Sequence, residues 1–189
     1  MRKIFFIIIL FFITYSNSFG VLIPRFEIPF KFLIGFNFKK YNSFYWENGI
    51  QANYYNKKLH LTLGANFETT LLGSALNSNA LKQYNFSLFI DREFALLPRT
   101  ALKPRLNLGY FYADYESKIF NKLNNSTFTI SPELVIQITP GSIFSKKLQL
   151  EFSTGYNIIH GDGTNGLGTL YPLYYRMIIL YQITNNYKQ

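Results

Sequence analysis

From residue 25 to residue 38 the chain reads RFEIPFKFLIGFNF. Every even position from Phe26 to Phe38 is Phe or Ile, and the odd positions hold Arg25, Glu27, Pro29, Lys31, Leu33, Gly35 and Asn37. Successive side chains leave a strand on opposite sides, so a period of two predicts a β-strand with one apolar face. A strand in a soluble sandwich needs only about 5 or 6 residues. A run this long and this aromatic predicts a thicker apolar setting.

The same alternation returns seven times. Over 44–55, Phe44, Trp46, Ile50, Ala52 and Tyr54 oppose Glu47, Gly49, Gln51 and Asn53, and over 59–71 a leucine face opposes His60, Thr62, Gly64, Asn66 and Glu68. Further runs cover 81–91, 101–115, 127–138, 147–158 and 170–183, joined by links rich in Asn, Gly and Lys. Eight strands with no helical period predict an all-β, up-and-down antiparallel sheet. Pro29 and Pro104 fall inside predicted strands, where each removes a ladder donor, so a bulge or a late strand start is expected there.

An eight-stranded sheet either leaves two open edges or closes into a barrel. The polar face carries Arg25, Lys31, Lys103, Arg105, Lys147 and Arg176 against Glu27, Glu47, Glu68, Asp91, Glu133 and Glu151, a charge network with six of each sign, while the apolar faces of the eight runs carry none. The large apolar side chains do not fit inside a small barrel at interior packing density. The polar face is therefore the lumen, where Gly35, Gly49, Gly64, Gly109 and Gly155 also fall and relieve a narrow bore. Leu33, Ile178 and Leu180 meet on the inner side of the closing seam, which reads as a small apolar plug, with a ligand pocket as the alternative use. An apolar exterior around a charge-paired interior is soluble in lipid.

Residues 1–20 read as a secretory signal: Arg2 and Lys3, an apolar run over 4–13, then Ser16, Ser18 and Gly20 as small residues for cleavage before Phe19 or Val21. The apolar run is half the ~20 residues of a membrane-spanning helix. The organisation expected is a signal at 1–20, a barrel at 21–183 and a polar tail at 184–189.

Composition narrows the chemistry. The 189 residues include 20 Phe, 15 Tyr and 1 Trp, 48% are hydrophobic and 15% charged, which excludes disorder. There is no cysteine, and hence no disulfide, thiolate metal site, cysteine nucleophile or lipoprotein anchor. The formal charge is +9, and removing Arg2 and Lys3 leaves 17 basic against 10 acidic residues. Much of the surplus sits in predicted turns, at Lys39, Lys40, Lys57, Lys58, Lys118 and Lys122, without the basic helix or stacking platform of a nucleic-acid binder.

Signal, strand number, alternation and strand-end aromatics (Tyr45, Trp46, Tyr54, Tyr55, Tyr84, Tyr110, Tyr112, Tyr156, Tyr171 and Tyr181) together resemble the small eight-stranded outer-membrane barrels of the OmpA and OmpX type. The resemblance implies a monomer in the bacterial outer membrane, in contact with its lipid, inserted by the barrel-assembly machinery and meeting any extracellular ligand through its loops. One departure is the end of the chain: Tyr181 is followed by a polar tail rather than closing the last strand.

Candidate catalytic residues are His160 and Asp162, beside the membrane rim in the 160–168 loop. A histidine at the end of a late strand is similar to the barrel lipid A deacylases, whose HxSN motif places a serine two residues on. Here that residue is Asp162, no acid follows, and the Ser, His and acid arrangement cannot be assembled locally. His60 is expected in the lumen near Glu47 and Glu68 as a hydrogen-bonded filler. Two histidines on distant segments give no metal cluster, and no cofactor is implied. The function expected is a non-enzymatic structural or surface-interaction barrel. The alternatives are a lipid-modifying enzyme using His160, a narrow pore, and a soluble periplasmic lipid-binding barrel.

Overall fold

The computed structural model describes residues 30–41, 46–72, 81–115, 126–141, 147–159 and 170–183, with side chains at all of these except 71, 72, 81, 82, 115 and 159. Among them the chain forms ten strands: β1 Phe30–Tyr41, β2 Trp46–Asn56, β3 Leu61–Leu72, β4 Leu81–Arg92, β5 Phe94–Leu97, β6 Thr100–Tyr115, β7 Ser126–Ile138, β8 Leu148–Tyr156, β9 Ile158–Ile159 and β10 Leu173–Gln182. All pairings are antiparallel, and β1 pairs with both β2 and β10, so the sheet closes. Eight staves make the barrel: β5 is a short hairpin arm on β6, and β9 continues β8 on the same register against β7.

Closure fixes the geometry. Paired residues lead from Lys31 through Tyr55, Thr62, Asp91, Arg105, Glu133, Gly155 and Tyr174 to Tyr41, which is back on β1 but ten residues further along. With a rise of ~3.3 Å and a strand spacing of ~4.8 Å, that stagger tilts the strands by about 40°. All nine residues of this circuit face inward.

Burial alternates as the sequence pattern requires. On β1, Phe36 is 65% exposed on the outside and Asn37 beside it is fully buried. Outward-facing Trp46, Tyr84, Tyr110, Tyr112, Phe128 and Tyr156 gather at one end, and Phe30, Tyr54 and Tyr181 at the other. Ring pairs join neighbouring strands within these girdles, Phe30 to Tyr54 at 5.6 Å and Tyr110 to Phe128 at 5.1 Å. Trp46 and Tyr54 lie eight residues apart on β2, about 20 Å along the tilted axis, and aliphatic side chains such as Ile50, Leu63, Leu88 and Ile179 fill the belt between.

The structure corrects several strand-level expectations. The first strand runs to Tyr41, so Lys39 is a buried strand residue rather than a turn residue, and Lys40 faces outward; Arg25, Glu27 and Pro29 lie outside the described residues. Pro104 causes no register shift: the ladder to β7 runs through it, and on the other side pairing lapses between Asp91 and Phe94, where the Glu93 amide donates to the His60 carbonyl instead. Pro132 marks a second lapse, opposite the break between β8 and β9. Tyr55 is buried on the inner face, and Tyr171 packs near Tyr41, so neither belongs to the girdles. His60 sits in the 57–60 turn, exposed and at φ 52°, not inside with Glu47 and Glu68. In that turn the Asn56 side-chain oxygen accepts from the Lys58 and Leu59 amides, so Asn56 rather than His60 shapes the reversal.

Candidate functional site

The lumen is layered along the axis. One end of the barrel carries the 57–60 and 98–99 turns and the 139–147 link, and is called the turn end. The other carries the connections over 42–45, 73–80, 116–125 and 160–169, and is called the loop end.

Just inside the turn end, Leu33, Tyr55, Ile178 and Leu180 pack as one buried apolar cluster across the β1–β10 seam. Beneath it lies the first charged layer. Arg105 Nη2 stands 2.8 Å from Asp91 and 2.7 Å from Glu151, and Lys103 donates to Glu151 at 3.0 Å. The Arg105 guanidinium also lies 4.1 Å from the centre of the Phe89 ring, so its face is covered by an aromatic and its edge by two carboxylates.

A second charged layer lies nearer the loop end. Arg176 bridges Glu68 and Glu133, each at 2.9 Å, and Lys39 bridges Glu47 and Glu68, each at 3.2 Å. Glu133 also accepts from Asn107, Ser153 and the Tyr174 hydroxyl, and Gln83 donates to Glu47. An amide chain from Asn37 through Asn66 to Ser87 runs alongside. Tyr41, Phe111, Ala113, Leu170 and Tyr174 then form a second apolar cluster at the loop end, with the Lys39 ammonium 4.6 Å from the Tyr174 ring centre.

The structure thus brings Glu47, Glu68, Asp91, Lys103, Arg105, Glu133, Glu151 and Arg176 together, and adds Lys39, which reads as a turn residue in sequence. Lys31 lies at the turn-end mouth against the Tyr55 ring, and Lys147 lies 6.0 Å from the Tyr181 ring centre. Arg25, Glu27, His160 and Asp162 lie outside the described residues. Among the described residues, no group of three or more His, Asp or Glu stands close enough to hold a metal ion. Sequence reasoning also missed Phe89, Phe111 and Val135, which lie on the inner face and are buried. The available signal was Gly64 on the inner parity, a missing side chain that leaves room for a large inward ring; the structure pairs it with Phe89.

No protein-family model and no curated protein matches the sequence. Solved structures do match in fold. Ail, the attachment invasion locus protein of Yersinia pestis, gives a TM-score of 0.55 at 12% identity, over 83% of this chain and 99% of Ail. Ail in complex with the heparin analogue sucrose octasulfate gives 0.51 at 13%, over 81% and 96%. Neisserial surface protein A gives 0.47 at 16%, over 82% and 97%. The fold is that of the small eight-stranded outer-membrane barrels, and its exterior is one that only lipid solvates.

Proposed function

We propose that this chain is an integral, monomeric barrel of a bacterial outer membrane with a structural or surface-interaction role and no enzymatic chemistry. The observation that carries the reading is the apolar belt, bounded by two aromatic girdles, around a lumen filled by ion pairs and closed by an apolar cluster near each end. Such a lumen leaves little path for ions, which favours a surface role over a narrow pore. Residues 1–20 are removed on export and the barrel-assembly machinery inserts the rest. The turn end faces the periplasm and the loop end, whose connections are longer on average, faces outward, the usual asymmetry of these barrels.

The test is expression with the native leader in a Gram-negative host, followed by membrane fractionation and external protease. Recovery in the outer membrane, with cleavage in 116–125 on intact cells, is expected. Recovery in the soluble periplasm overturns the reading. Planar bilayers should stay electrically silent, and discrete conductance steps would restore the pore. The Ail complex with a heparin analogue suggests polysulfated glycans as the first surface ligands to try.

A further inference from the structure

At the turn end the barrel opens into a cavity of about 350 Å³, bordered by Lys31, Lys57, Asn53, Thr62, Gln137 and Glu93 and floored by Leu33 and Tyr55. Its volume lies at the lower end of the range of small-molecule pockets, about 300–1,000 Å³. Two independent features give it a chemical preference.

The first is charge. Lys103 at the cavity's inner edge is neutralised by Glu151, whereas Lys31 and Lys57 make no ion pair among the described residues. Glu93 is the single carboxylate on the cavity wall among the described residues, so the mouth is net positive. The second is hydrogen bonding. Asn53, Thr62 and Gln137 line the cavity, and their buried side-chain oxygens, Asn53 Oδ1, Thr62 Oγ1 and Gln137 Oε1, have no hydrogen-bond partner among the described residues. A buried acceptor left without a donor costs about 1–3 kcal/mol, so three around one cavity favour a ligand that brings donors of its own.

We infer that this cavity is a binding site for a hydroxylated organic anion, a sugar carrying a carboxylate or phosphate. Its acidic group lies between Lys31 and Lys57, and its hydroxyls donate to Asn53, Thr62 and Gln137. The tyrosine and leucine floor suits the apolar face of a pyranose ring. The site lies at the opposite end from the outward connections, and its binding chemistry does not depend on which way the barrel is inserted.

The test uses the mature protein in lipid nanodiscs, titrated with N-acetylmuramic acid, with N-acetylglucosamine 1-phosphate and, as the neutral control, with N-acetylglucosamine. Affinity is read calorimetrically and location from amide NMR shifts. Either acidic sugar should shift Lys31, Asn53, Thr62 and Gln137, and the one bound more tightly tells carboxylate from phosphate as the preferred group. The neutral sugar should bind at least about tenfold more weakly, the loss expected for a missing charge-assisted contact. Lys31→Gln should weaken the acidic sugar to the neutral level. Lys57→Gln lies in an exposed turn and serves the same purpose should the Lys31 variant fail to fold. Absence of binding by both acids, equal binding of the neutral sugar, or unchanged binding in a folded lysine variant each overturns the assignment.

Discussion

The ring of Phe89 occupies the space that a side chain on Gly64, its cross-strand partner, would need. A Cβ at Gly64 would meet the ring more closely than real Cβ atoms approach, while the Arg105 guanidinium lies 4.1 Å from the ring centre. Phe89 is thus a wedge between the sheet wall and the first charged layer. Its position depends on the missing side chain.

Gly64→Ala should therefore destabilise the barrel by about 1–3 kcal/mol, the usual cost of overpacking. Adding Phe89→Leu should recover part of the loss, because the nearest clash is with the ring, while the contact with the Ala52 carbonyl oxygen remains. Urea unfolding in micelles checks both, and an equal loss in single and double variants would place the strain elsewhere.

Glu133 accepts hydrogen bonds or ion pairs from Arg176, Asn107, Ser153 and Tyr174 at one point in the lumen. Removing it takes from the buried Arg176 guanidinium one of its two carboxylates, leaving Glu68, which Lys39 shares, and the Tyr174 ring among the described residues. Glu133→Ala should lower stability by about 3–5 kcal/mol, the cost of breaking a buried pair from one side. An unchanged unfolding midpoint would indicate a lumen wet enough to solvate the orphaned charge.

Much of this arrangement is legible in the sequence. Period-two alternation marks the eight staves and their two faces, because each inward polar residue must sit two positions from the next. The plug of Leu33, Ile178 and Leu180 follows from parity on the first and last strands, and Tyr55 joins it in the structure. Register was not legible, since pairing depends on turn length and on the stagger that closes the ring. Lys39 was missed because a Lys-Lys pair followed by Tyr41, Asn42 and Ser43 reads locally as a turn, whereas two carboxylates from β2 and β3 hold it inside. His60 was misplaced for the opposite reason: strand alternation was carried one residue too far into a turn set by Asn56. The loop-end aromatics Tyr41 and Phe111 escape a rule that sends aromatics outward.

Closure has its own consequence. Phe36 on β1 pairs with Ile179 on β10, residues far apart in sequence that meet only if the seam forms. The chain has no cysteine, so Phe36→Cys with Ile179→Cys gives a clean pair for a short bifunctional thiol reagent. Efficient cross-linking within one chain is expected in folded protein and its loss after heat unfolding. Only intermolecular products would mean that the edges of an open sheet remain free.

The most direct test of the inside-out arrangement is a single-cysteine scan along β1 from Ile34 to Phe38, each site carrying an environment-sensitive fluorophore in vesicles with a lipid-borne quencher. Labels at 34, 36 and 38 should be quenched strongly and those at 35 and 37 weakly, because the side chains of β1 alternate between lipid and the packed lumen. Uniform quenching, or quenching on the odd positions, would contradict a barrel that turns its apolar face to the membrane.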